Sequence, residues 1–128
     1  MAVHKDSPYI DLAVFSILNQ SFRDFEFIII ANGANDALIS KLNNYCKSDN
    51  RIKIISTSLP GLANALNYGI SAAVGDIIAR MDSDDISHTE RLQVQYDLLS
   101  NNSKLSVIGC RSELIGPAGE NLGKWKFY

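Results

Sequence analysis

Short apolar runs alternate with stretches of helical periodicity along this chain, and no other feature restricts its fold as much. Phe25-Glu-Phe-Ile-Ile-Ile-Ala31 is too short for a helix and rich in β-formers, so it reads as a buried strand. Arg51–Ser56 and Asp76–Met81 read the same way. Between these runs, Leu38, Leu42 and Tyr45 mark one face of a helix. Another helix is expected over Leu62–Val74, set off by the Pro60-Gly61 break and closed by a left-handed cap at Gly75. Strands alternating with helices predict an α/β fold with a mostly parallel sheet.

The flanks fit the same scheme. Ser7 followed by Pro8 reads as a helix start, with Ile10, Ala13, Val14, Ile17 and Leu18 as its buried stripe. Asn32-Gly33 supplies a turn after the first long strand. Ser87 and Glu90 have the spacing of a capping box, opening a helix that carries Leu92, Tyr96 and Leu99. Leu105–Cys110 is expected to be a further strand, ahead of a β-rich ending with a turn at Gly116–Gly119. With 128 residues and no repeat or linker, residues 1–128 are read as one domain around one core.

Composition removes several classes. The chain is 46% hydrophobic and 20% charged, which excludes a disordered or fibrous protein. A net charge of -2 without a basic stripe argues against nucleic acid as a partner. Cys46 and Cys110 form no CxxC pair and read as reduced core thiols of a cytoplasmic protein. No apolar run approaches the roughly 20 residues that span a bilayer. Residues 1–6 lack the layout of a signal peptide. Peripheral association with the inner face of a membrane stays open.

The chemistry concentrates in Asp82-Ser83-Asp84-Asp85, directly after a predicted strand. In open parallel sheets, ligands sit beyond the carboxyl ends of the strands. Clustered carboxylates repel one another unless a cation or a donor network holds them. Mg²⁺ and Mn²⁺ favour such oxygen ligands, completed by phosphate oxygens and water. In an extended segment Asp82 and Asp84 would face the same ligand. The plainer alternatives are a solvated acidic loop, or Asp84 and Asp85 as charges at a helix N-terminus.

Four segments in order, Ser16–Phe22, Asp24–Ile30, Gly61–Asn67 and Arg80–Ser87, resemble the family-two inverting glycosyltransferases of the GT-A fold. Glu90-Arg-Leu-x-x-Gln95 agrees, and the resemblance runs from Met1 to about Ile115. It implies a GT-A, Rossmann-like sheet flanked by helices, cut short at both ends relative to the family. It further implies an enzyme that uses a nucleotide-diphosphate sugar, a UDP-sugar above all, with Mn²⁺ or Mg²⁺. The sugar, a hexose or N-acetylhexosamine, would pass with inversion to a polysaccharide, O-antigen or glycolipid acceptor. On that pattern Ala2, Val3 and His4 lie at the base, and Gly61 to Asn64 approach the nucleotide. Asp82 takes the ribose side, Ser83 joins it in binding the nucleotide, and Asp84, with Asp82 beside it, holds the metal.

Three departures accompany the resemblance. Ala31-Asn32 replaces the acidic pair usual before Gly33, leaving the Asn32 amide to meet the base. The first strand has almost none of the apolar residues expected ahead of Met1. The catalytic base is expected beyond Tyr128, in the acceptor-binding half, so the chain reads as a donor-binding domain.

Other residues have plainer readings. His4 and His88 lack the spacing for zinc, and His88 is expected in a helix's first turn facing water. Arg80 is expected either to pair with the acidic cluster or to approach the diphosphate. Tyr9, Tyr45, Tyr68 and Tyr96 are expected in the core, and Trp125 as a sugar platform or an edge cover. Two competing functions are a non-catalytic nucleotide-binding module completed by a partner chain, and a phospho-receiver domain. The second lacks the acidic residues it would need around Met1 to Lys5.

Overall fold

The computed structural model describes residues 1–59 and 61–125, and the apolar run predicted as a strand is its central one. β2 (Phe27–Asn32) pairs in parallel with β1 (Ala2–Val3) on one side and β3 (Ile52–Thr57) on the other, giving the order β1-β2-β3. The register aligns Val3 with Ala31 and Asn32 with Thr57, so all three strands end level with one another. Pro60, half of the predicted break before the helix expected over Leu62–Val74, lies outside the described residues, as do residues 126–128.

Helices connect and cover the strands: α1 (Ile10–Leu18), α2 (Asp36–Ser48) and α3 (Leu62–Ala72). Successive β2 side chains point to opposite faces. Phe27, Ile29 and Ala31 join a core with Ile10, Ala13, Val14 and Ile17 of α1 and Leu38, Leu42 and Tyr45 of α2. Ile30 faces the other way, toward α3, where a Cβ added to Gly69 would lie 3.5 Å from Ile30 Cγ1. The missing side chain at Gly69 is what lets that helix lie so close to the strand.

Polar ties finish the layers. Asn35 caps α2 by accepting the Leu38 amide at 2.9 Å. The Tyr45 hydroxyl donates to Asp11, and Lys41 reaches Asp6 at 3.1 Å and Asp11 at 3.2 Å. Arg51 lies 4.4 Å above the ring of Phe25 while its guanidinium holds Asp49 at 2.7 Å.

Several local expectations yield to longer-range contacts. The first helix begins at Ile10, not Ser7. Ser7 and Pro8 precede it, with the Ile10 amide bonded to the Ser7 carbonyl at 3.4 Å. Gly75 does not adopt a left-handed conformation. α3 stops at Ala72, and the amides of Val74 and Gly75 are taken by Glu26 Oε1 at 2.6 and 3.2 Å. Asp76–Met81 forms no strand. The free edge of the sheet on that side is β1, which offers two residues to pair with, and Ile77 and Ile78 stay exposed while Met81 reaches the core.

The capping box at Ser87 and Glu90 also fails to form. α4 (Arg91–Ser100) starts later, and the Leu92 amide is accepted by Gln20 Oε1 at 2.9 Å. Of the four tyrosines expected in the core, only Tyr45 is buried; Tyr9, Tyr68 and Tyr96 are exposed.

The chain divides into two compact units, the first being Met1–Val94. In the second, from Gln95 on, β4 (Glu113–Ile115) and β5 (Asn121–Lys124) form an antiparallel hairpin around the turn expected at Gly116–Gly119. Gly119 carries the positive φ of 83° that this turn needs. Leu105–Cys110 has no strand partner among the described residues and is irregular. Cys110 is accordingly exposed and not a core thiol, whereas Cys46 is partly buried; both are free. No described helix is long and apolar enough to cross a membrane.

Candidate functional site

Because the three parallel strands end level, the loops that follow them gather on one side, where α/β sheets place their ligands. After β1 comes His4. Its Nδ1 lies 2.8 Å from the Asn32 carbonyl oxygen. A carbonyl can only accept, so Nδ1 carries the proton and Nε2 is left for another partner. After β2 comes Gly33 (φ 64°), whose amide donates to the Thr57 carbonyl at 2.8 Å and ties the second loop to the third. The Asn32 side chain, 7% exposed, donates from Nδ2 to the Gly61 carbonyl at 3.2 Å. Gly61 (φ 104°) enters α3 in a conformation that L-residues rarely adopt.

These loops enclose a cleft of about 590 Å³. Ala2, Val3, His4, Asn32, Gly61, Ser83 and Asp84, all singled out in the sequence, line it. Leu62, inside the Gly61–Asn64 loop expected near the nucleotide, lines it too, and Lys5, Ser7 and Ser58 line it without such a signal. Their only mark is position, since each follows the carboxyl end of a parallel strand or opens the next element. A smaller recess of about 240 Å³ adjoins, between His4, Lys5, Asp6, Gly33, Asn35 and Leu38. Asn64 stands on the first turn of α3, its Nδ2 3.6 Å from where a Cβ on Gly61 would be, and is not among the lining residues.

The acidic cluster is not extended. Ser83 and Asp84 form a turn, so the alternation that would aim Asp82 and Asp84 the same way does not apply. Asp84 opens on the cleft with Ser83. Asp82 turns to Arg80, whose Nη2 holds its two oxygens at 3.0 and 2.9 Å. Arg80 thus takes the ion-pair alternative expected of it. Partial desolvation raises the pKa of Asp85, and the like charges of Asp82 and Asp84 add to the shift. Arg91 lies behind the turn, donating to the Arg80 carbonyl at 3.2 Å, and its positive charge opposes that rise. Arg91 was missed as a neighbour of the cluster, although it sits in the E-R-L stretch downstream of the motif.

His88 is exposed, as expected, but precedes α4. Among the described residues, no three His, Cys, Asp or Glu side chains converge as a complete metal-holding group. A cation here would need one or two carboxylates supplemented by a ligand's own oxygens, which is how Mg²⁺ is commonly held. Asp84 on the cleft wall offers one such carboxylate, while Asp82 is engaged by Arg80.

A model of the family described as Glycosyl transferase family 2 matches residues 1–123. The chain is 44% identical over 128 residues to the O-antigen biosynthesis glycosyltransferase WbnJ of Escherichia coli, covering 99% of this chain and 50% of that protein. It is 38% identical over 104 residues to the bifunctional glycosyltransferase pgtA of Dictyostelium discoideum, covering 77% of this chain and 14% of the other. Identity to the putative glycosyltransferase EpsH of Bacillus subtilis is 40% over 85 residues, 66% of this chain and 25% of that one. The chain therefore spans half or less of the length of these relatives.

Proposed function

The chain belongs to glycosyl transferase family 2, and we propose that it is the donor-binding domain of such an enzyme, holding a nucleotide-diphosphate sugar together with a divalent cation. The observation that carries this reading is the cleft beyond β1, β2 and β3, into which Asp84 and Ser83 project opposite His4, Asn32 and Gly61. Its volume of about 590 Å³ lies in the range of small-molecule sites, roughly 300–1,000 Å³.

Within it, Ala2, Val3, His4 and Asn32 take the base, and Gly61 and Asn64 border the nucleotide. Asp82 and Ser83 take the ribose. Asp84, with Asp82, binds Mn²⁺ or Mg²⁺. Asp82 reaches that role by exchanging Arg80 for the ligand. The cation, when bound, would neutralise charge that builds on the diphosphate as the glycosidic bond breaks. With Nδ1 bonded to Asn32, His4 has Nε2 available to the ligand, and Lys5 adds a positive charge at the cleft's edge.

UDP is the favoured nucleotide. The full enzyme would transfer a hexose or N-acetylhexosamine, with inversion, to a carbohydrate or lipid-linked acceptor, at or near the cytoplasmic face of a membrane. The acceptor's base is assigned to no residue of this chain. Calorimetry with UDP and either Mn²⁺ or Mg²⁺ tests the reading. Absence of binding with both ions, in folded protein, would reject it.

A further inference from the structure

The segment Ser16–Phe22 supplies nothing to the cleft, yet it contains Gln20, whose side chain is 0% exposed. Every polar atom of that carboxamide is engaged. Nε2 lies 3.0 Å from the Ser16 carbonyl, 3.1 Å from Ser87 Oγ and 2.8 Å from the His88 carbonyl, its two hydrogens shared among three acceptors. Oε1 accepts the Leu92 amide.

Ser16 works beside it. Its Oγ donates to the Ala13 carbonyl at 2.8 Å and accepts the Ser87 amide at 3.0 Å. The Ser21 amide adds a bond to the Thr89 carbonyl at 2.8 Å. The carboxyl end of α1 is thereby fastened to residues 87–92.

The acidic turn lies just upstream of that fastening. Met81, 5% exposed, anchors its other end in the core. Only residues 82–86 run between the two fixed points, too few to absorb a shift of Ser87 without moving Ser83 and Asp84.

We propose that Gln20 is a positioning residue of the donor site: by fixing residues 87–92 to the end of α1, it sets where Ser83 and Asp84 meet the cleft. The proposal rests on the donor-binding reading for its functional meaning. A role confined to scaffolding would lower thermal stability and leave the affinity of folded protein unchanged.

The test uses the whole chain with Gln20→Met, close in size but stripped of the strong donor and acceptor, and Ser16→Ala as a milder second variant. UDP–Mn²⁺ affinity is measured by calorimetry well below the unfolding midpoint, and backbone amide signals are followed by NMR. The expected result for Gln20→Met is a loss of about 10- to 100-fold in affinity, as for other residues that orient metal ligands. Ser16→Ala should lose less in the same direction. The amide signals of Ser83, Asp84 and Asp85 should move while those of Ile28 and Ile54 hold still. Wild-type affinity together with unmoved loop signals, in whichever variant folds, overturns the proposal. If the unaltered protein binds no UDP with Mn²⁺, the donor-binding reading falls, and the loop signals alone still decide whether Gln20 positions the turn.

Discussion

Arg80 clasps Asp82 through both carboxylate oxygens, at 3.0 and 2.9 Å, so one of the clustered carboxylates is already neutralised by its own neighbour. The pair is half exposed, and such pairs are worth up to about 1 kcal/mol. Replacing the arginine should free Asp82 for a cation. Arg80→Ala is expected to tighten Mn²⁺ binding without nucleotide by about two- to fivefold, the equivalent of that energy. Calorimetry at low salt would read the change. A weaker affinity in the variant would mean that Arg80 orders the carboxylate and does not compete for it.

Acid should unfold the protein from a defined point. The Tyr45 hydroxyl and then Lys41 hold Asp11 below the ordinary carboxylate range; Lys53 and the Val74 amide do so for Glu26, and Arg51 for Asp49. Groups with depressed folded pKa values stabilise fully above their unfolded values, about 3.9 for Asp and 4.3 for Glu. That contribution is lost as pH falls through the lower folded values. The share of the urea midpoint that these three carboxylates supply should therefore stay level from neutral pH to about 5 and drop below about 4. Asp85 has the opposite sign: its raised pKa costs stability once it ionises, so Asp85→Asn should raise the midpoint at neutral pH and change it little in acid.

Gly61 should resist substitution for reasons of backbone alone. A Cβ there would meet Asn64 Nδ2 at 3.6 Å, an ordinary contact, but φ is 104°. Gly61→Ala is expected to cost about 1–3 kcal/mol in urea unfolding, the usual cost of a non-glycine residue in a sparsely populated region. Because Asn32 bonds the Gly61 carbonyl, the same variant should weaken UDP binding. A stability loss with unchanged affinity would place Gly61 outside the site.

The core offers a calibrated contrast. Leu42 is 0% exposed within the cluster between α1, α2 and the sheet, whereas Leu12 on α1 is 51% exposed. Leu42→Ala should destabilise by about 2–5 kcal/mol. Leu12→Ala should change stability by less than about 0.5 kcal/mol. Equal losses in chemical denaturation would contradict this burial.

The sequence was most legible where a signal is local and repeated. The Phe25–Ala31 run became β2, the Leu38, Leu42 and Tyr45 stripe is buried, and Gly33 and Gly61 carry the positive φ values of turns at the cleft. It misled where a local pattern competes with a distant partner. Ser87 has the spacing of a helix cap, but its amide goes to Ser16 and its hydroxyl to Gln20, some seventy residues away. Asp76–Met81 has a strand's composition, but strand formation needs an edge to pair with, and β1 is two residues long. Gly75 could have capped α3, but the carboxylate of Glu26 took the amides there instead. At the site, strand ends and glycines pointed to the cleft. Lys5 and Ser58 could be placed there only once the strand register was known.

The two walls of the cleft differ in mechanical character. On one side, the missing side chain of Gly69 seats α3, which follows Gly61, directly on Ile30. On the other, Ser83 and Asp84 ride a short turn suspended between a methionine and a glutamine. Both walls are thus held from outside the cleft, one by packing on the sheet and the other by hydrogen bonds to the end of α1.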